Sequence, residues 1–168
     1  MKKKEIIYLY NILLETLKIA EKLNACIKFK FGIIRSRDFV KQDFDQLKEI
    51  EEDNAKPLKA FYEERNKLIT KYGETEGQNV VVRPKIIVDK KEADNPKWKK
   101  YEKELEPIKD KYKKELDEYE KKMKEYSETV LEEDCELPKV HKISISNVPE
   151  DFPTELLDIL IHYEIITE

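Results

Sequence analysis

Glycine is almost missing from this chain: there are three in 168 residues. Gly32, Gly73 and Gly77 stand apart, so no glycine-rich loop for cradling phosphates can be traced through the sequence. Cysteine is as scarce. Cys26 and Cys135 are too few and too distant for a disulfide framework or a thiolate metal cluster. Each sits beside apolar residues and reads as a small hydrophobe, which makes a reducing, intracellular setting the simplest expectation. The two histidines, His141 and His162, form no Cys-His-Asp spacing and read as ordinary residues rather than a catalytic pair. Glu132-Glu133-Asp134 lacks the alternating ligands and glycine turn of a calcium loop. No apolar run approaches the ~20 residues needed to span a bilayer. The basic start, Lys2-Lys3-Lys4, leads into a run broken by Glu5, Asn11, Glu15 and Lys18, so no signal peptide is expected. The expectation is a protein that is not an enzyme, with no cofactor, no metal and no membrane span.

Charge and heptad spacing are what the chain has instead. Charged residues make up 42% of it and hydrophobic residues 39%. The apolar positions are regularly placed, which favours long solvated helices over disorder. One stripe runs through Val40, Phe44, Leu47, Asn54, Leu58, Tyr62, Arg65, Ile69 and Tyr72. A second runs through Trp98, Tyr101, Leu105, Ile108, Tyr112, Leu116, Tyr119, Met123, Tyr126 and Val130. Two such stripes joined by a reversal predict an antiparallel helical hairpin. Pro57 and Pro107 fall inside them and predict kinks. Between them, Val80–Val82 and Ile86–Val88 flank Pro84 and predict extended structure at an edge or turn.

The ends read as a base for this hairpin. Residues 5–23 form an amphipathic helix that Asn24 terminates. In residues 26–34, Ile27, Phe29 and Phe31 alternate with Lys28 and Lys30. A helical turn into the next helix is the preferred reading, with a strand as the alternative. The long helix is then expected over 37–72 and its partner over 95–131. Residues 139–146 alternate cleanly and are expected to form a strand that pairs with 80–88 or covers the base of the helices. Leu156, Leu157, Ile159, Leu160 and Tyr163 make a closing helix expected to pack on the first. The expected fold is mainly α with a small β element: a long antiparallel coiled-coil hairpin on a compact base of terminal helices. Residues 1–36 and 132–168 would form the base with one strand. Residues 37–131 would form the arm, with a β-rich tip near 74–95.

The net charge of −4 is unevenly spread. Residues 1–50 carry eleven Lys/Arg against seven Asp/Glu, while residues 132–168 carry two against ten. The acidic end is expected to dock on the basic start, with a basic partner as the alternative. Lysines at 97–103 and 109–114 are cancelled by interleaved acids such as Glu102, Glu104, Glu106 and Asp110, so the chain lacks the basic face that nucleic acid requires. Glu63-Glu64 reads as a solvated helix face.

Trp98, Tyr101, Tyr112, Tyr119 and Tyr126 are the candidate partner-binding residues, since Tyr and Trp dominate interface energetics. The alternative, preferred on spacing, packs them in the hairpin seam against Phe44, Leu58, Tyr62 and Ile69. Tyrosine packs there more loosely than leucine would, so the hairpin invites completion by another protein or by a second copy.

Three stretches carry a resemblance. They are the opening amphipathic helix, the run Tyr62-Glu63-Glu64-Arg65-Asn66-Lys67-Leu68-Ile69-Thr70-Lys71-Tyr72-Gly73-Glu74, and the close from Glu136-Leu137-Pro138-Lys139-Val140-His141-Lys142-Ile143-Ser144-Ile145 into a short Pro-Thr-Glu-Leu-Leu helix. Together they resemble a family of small uncharacterised proteins encoded by phages and prophages of Gram-positive bacteria. That resemblance implies an accessory protein in the cytoplasm of the infected host, binding a host factor or a virion component. The hairpin architecture also resembles prefoldin subunits, which implies a chaperone-like or structural oligomer.

Overall fold

The computed structural model describes residues 1–88 and 91–168, with backbone alone between 86 and 92. Asp89 and Lys90, part of the expected β-rich tip, lie outside the described residues. The fold is mainly helical, at 70%, with small sheets. Among the described residues the order is α1 (Lys3–Lys22), α2 (Ile27–Ala55), a 3-10 turn (Lys56–Leu58), α3 (Lys59–Tyr72), β1 (Glu74–Glu76), β2 (Asn79–Val81), β3 (Lys85–Val88), β4 (Lys91–Asp94), α4 (Pro96–Lys111), α5 (Lys113–Glu128), a 3-10 turn (Val130–Glu132), β5 (Ile143–Ser144), a 3-10 turn (Ile145–Asn147), α6 (Thr154–His162) and β6 (Ile166–Thr167). Contacts divide the chain into two compact units, one of residues 1–51 with 125–168 and one of residues 52–124.

In the first unit α1 and α2 pack as a hairpin. The turn between them follows from glycine scarcity. Asn24 takes φ 49°, the left-handed position usually given to glycine, and Ala25 N–H reaches back to the Ala20 carbonyl at 2.9 Å. Glu164 does the same after α6, at φ 55°, where Ile165 N–H bonds the Leu160 carbonyl at 2.9 Å. The core is Leu9, Leu13, Phe29, Ile33, Val40, Leu160 and Ile165, all essentially without exposure. Tyr10 and Phe44 stack with ring centroids 4.1 Å apart.

The helix expected from 37 begins at Ile27. Phe29, Ile33, Ser36 and Val40 recur at four, three and four residues and are all fully buried. The alternation at 27–31 arises because Phe29 belongs to this inner face while Ile27 and Phe31 belong to the opposite one. The strand expected over 139–146 shrinks to β5, and its partner is neither β2 nor β3. Ile143 and Ser144 pair in parallel with Ile166 and Thr167. Ser36 explains the shortening. Its buried hydroxyl accepts His141 N–H at 2.9 Å and donates to the His141 carbonyl at 3.2 Å, so a helix side chain holds the backbone a strand would have paired. A Cβ at Gly32 would lie 2.3 Å from Ile143 Cγ1, so only glycine lets this segment approach so closely.

The acidic end meets the basic start within the chain. Lys2, Lys3 and Lys4 pair with Asp134, Glu133 and Glu132 in that order. Backbone bonds support the ladder, from Cys135 N–H to the Met1 carbonyl at 2.8 Å and from Lys3 N–H to the Glu133 carbonyl at 3.1 Å.

In the second unit α3 packs against α4 around Phe61, Leu68, Tyr101 and Leu105. Pro57 lies in the 3-10 turn before α3. Pro107 stays inside α4, and the break to α5 comes later, at Tyr112. The extended segments form two separate antiparallel hairpins, β1 with β2 and β3 with β4. Buried Asn95 ties them to α4: its side chain caps Lys97 N–H at 2.9 Å and donates to the Arg83 carbonyl at 2.9 Å.

Candidate functional site

The aromatic stripe of α4 and α5 divides by burial. Tyr101 is buried in the α3–α4 core, and Tyr126 is buried in the first unit, where its hydroxyl donates to the Leu47 carbonyl at 3.1 Å. Burial pushes the Tyr126 phenol up to about 12, with the nearby charge of Glu51 adding to the effect. Trp98, Tyr112 and Tyr119 are half-buried. The Trp98 ring lies 5.5 Å from Tyr101, and Tyr112 meets Phe61 edge-on at 6.0 Å. Phe44, placed in this seam by its heptad position, stacks on Tyr10 instead.

Two matched clasps hold α3 to α4. Glu104 accepts Lys71 Nζ at 2.8 Å and the Tyr72 hydroxyl at 2.6 Å. Glu64 accepts Lys111 Nζ at 2.6 Å and the Tyr112 hydroxyl at 2.9 Å. In each clasp the ammonium also lies 4.8 Å from the centre of its neighbouring tyrosine ring. Glu63 is exposed as expected, while Glu64 is only partly exposed and is paired across to α4. Each helix carries a Glu followed seven and eight residues later by Lys-Tyr, and antiparallel packing delivers each Glu to the other helix's Lys-Tyr. That repeated spacing is the signal in the sequence that could have revealed the clasps. Lys111 and then Tyr112 hold the Glu64 carboxyl below its ordinary value, and Lys71 and then Tyr72 do so for Glu104. Depressed carboxylates contribute stability above their ordinary pKa and lose it as pH falls through the lowered value, so both clasps weaken in acid.

A groove of about 500 Å³ lies against this pair, lined by Leu68, Tyr72, Lys100, Lys103, Glu104, Pro107 and Ile108. Leu68, Pro107 and Ile108 give it apolar surface, and exposed Lys100 and Lys103 give it positive charge. Because Pro107 has no N–H, the Lys103 carbonyl one turn earlier lacks its helical donor.

The histidines are placed against aromatic rings, His141 edge-on to Phe31 at 5.7 Å and His162 to Tyr163 at 5.0 Å. Among the described residues, no three His, Cys, Asp or Glu side chains gather as a metal set. Nor is any helix among them long and apolar enough to cross a membrane.

Sequence reasoning missed a surface on the first unit. Ile27 is 84% exposed, Phe31 52% and Ile34 37%. Their spacing of four and three residues puts them on one face of α2. The preferred helical reading of 26–34 already contained this spacing, and a helical projection of it would have exposed the stripe. No protein-family model, curated protein or solved structure matches the chain.

Proposed function

We propose that this chain is a phage-encoded, non-enzymatic accessory protein that acts by binding another protein in the cytoplasm of an infected bacterium, either a host factor or a virion component. The observation that carries this is the groove beside α3 and α4. The helix pair buries a four-residue cluster and leaves Trp98, Ile108 and Tyr112 half-covered around it. The occupant that suits an apolar floor with Lys100 and Lys103 on its rim is a protein segment carrying an apolar side chain flanked by carboxylates. Half-buried Tyr72, the aromatic among the groove's lining residues, is of the type that carries interface energy. The test is affinity capture from infected cells with the wild-type chain and the Lys100→Glu/Lys103→Glu variant. Capture of one protein by the wild type and its loss from the folded variant supports the reading. Equal capture by both refutes it.

A second reading, a structural oligomer with prefoldin-like architecture, draws on the clasps. Each of α3 and α4 carries both halves, so α3 could pair with α3 of a second copy, and α4 with α4. The intrachain pair has the advantage of high effective concentration, which ranks this reading second. The double variant Glu64→Lys/Lys111→Glu keeps the intrachain charge pairing but sets like charges against each other in a copy-to-copy pair. A dimer in light scattering that this variant abolishes would support the reading; a monomer at all concentrations would end it.

A further inference from the structure

We propose that the Ile27–Phe31–Ile34 face of α2 is a second docking surface, and that its ligand is an acidic amphipathic helix of a partner protein. The inference rests on the protein-binding reading but uses the other unit and different residues. Ile27, Phe31 and Ile34 stand on one helical face over two turns, a length of about 10 Å. An isoleucine exposed to 84% gains its transfer free energy only when something covers it. Three apolar side chains aligned this way form a patch rather than scattered exposure.

One wall of the patch is already built. The Phe31 ring is steadied edge-on by His141, and Ile143 is seated against Gly32. Further along the same segment, Cys26 Sγ donates to the Asn147 carbonyl at 3.4 Å. The stripe thus has one fixed neighbour, at Phe31, and an apolar stripe on a helix suits the ridge of an incoming helix.

Charge decides which helix. On the helical projection Lys28 and Arg35 lie on one side of the apolar stripe and Lys30 on the other. Arg37 pairs with Asp38 and Lys142 with Glu164. Lys28, Lys30 and Arg35 show no carboxylate partner among the described residues, although Arg35 lies over the Phe39 ring at 5.4 Å. Two basic flanks around an apolar stripe complement a helix with one apolar ridge between acidic rows. The apolar centre argues against a nucleic-acid backbone, which offers phosphate and no apolar ridge.

The experiment is a selection. A random library of 16-residue peptides is panned against the full chain, and enriched peptides are synthesised and measured by fluorescence anisotropy. The expected winners place apolar residues at three- and four-residue spacing with Asp and Glu between them. Ile27→Ser or Phe31→Ser should weaken their binding about tenfold. Both side chains are exposed, so these variants should fold, and circular dichroism checks it. Lys100→Glu/Lys103→Glu, in the other unit, should change binding less than about twofold, which separates this surface from the groove. Enrichment of neutral or basic peptides, no enrichment, or binding indifferent to Ile27 and Phe31 would overturn the proposal. Phosphatidylglycerol vesicles are the other arm. Sedimentation of the chain with them that is lost in Ile27→Ser, without binding to selected peptides, would assign the surface to membrane and overturn the protein-ligand reading.

Discussion

Replacing Tyr126 with Phe removes one oxygen from a buried contact and should change how the protein responds to alkaline pH. The phenol donates to the Leu47 carbonyl at 3.1 Å and the residue is 3% exposed. Losing one such hydrogen bond costs about 1 kcal/mol, because the Leu47 carbonyl keeps its own helical partner. The same burial raises the phenol from an ordinary 10.0 to about 12. A rise of that size corresponds to roughly 2–3 kcal/mol in favour of the neutral form. The native state holds its proton to higher pH than the unfolded chain does. The unfolded chain therefore binds fewer protons between the two values, and stability falls as pH rises through that window. Tyr126→Phe lacks this loss. Urea unfolding followed by circular dichroism should find the variant about 1 kcal/mol less stable at about pH 8, with the gap closing near pH 11. Lysine titrations are common to both proteins and cancel in the difference. A gap that stays constant over that range would refute the reasoning, since it would mean the phenol is not desolvated.

Three further expectations follow from single contacts. Thr16 is fully buried with no partner for its hydroxyl among the described residues, so Thr16→Val should stabilise the protein by about 1 kcal/mol in urea unfolding; a loss would mean the hydroxyl is satisfied. Ser36→Ala strips His141 N–H and C=O of their shared partner and should cost about 1–2 kcal/mol in the same assay, whereas an unchanged midpoint would show that solvent replaces the hydroxyl. Glu64→Lys and Lys111→Glu should each lower the thermal midpoint, and combining them should recover part of the loss, though not the Tyr112 contact; a double variant no better than the worse single would remove the clasp from the account.

The helices were legible because their apolar positions recur at three and four residues. On α4 the stripe named Tyr101 and Leu105, which are buried, whereas on α3 it ran through Tyr62 and Ile69, and the buried pair is Phe61 and Leu68, one residue earlier in each case. At 26–34, where helix was the preferred reading and is what forms, the strand alternative arose because two faces of one helix interleave. Phe29 points into the core while Ile27 and Phe31 point out, and their alternation mimics a strand. Residues 139–146 alternate as a strand would, but Ser36 takes the His141 backbone and a two-residue pairing with β6 is what forms. Charges were harder to place than apolar residues. Glu64 looks like any surface acid until antiparallel register brings Lys111 and Tyr112 to it. The ladder of Lys2, Lys3 and Lys4 on Asp134, Glu133 and Glu132 was legible in the uneven charge, though its residue-by-residue order was not. In the aromatic stripe, spacing alone does not separate buried Tyr101 and Tyr126 from half-buried Trp98, Tyr112 and Tyr119. That separation depends on which neighbours the packed helices supply.

The central claim is that this protein works by holding another protein at the exposed side of the α3–α4 pair. Photo-crosslinking in infected cells tests it most directly, with p-benzoylphenylalanine replacing Lys100 beside the groove or, as a control in the first unit, Glu155 on the exposed face of α6. The account predicts one discrete crosslinked protein from position 100 and none from position 155. No crosslink at position 100, or the same product from both positions, would contradict it.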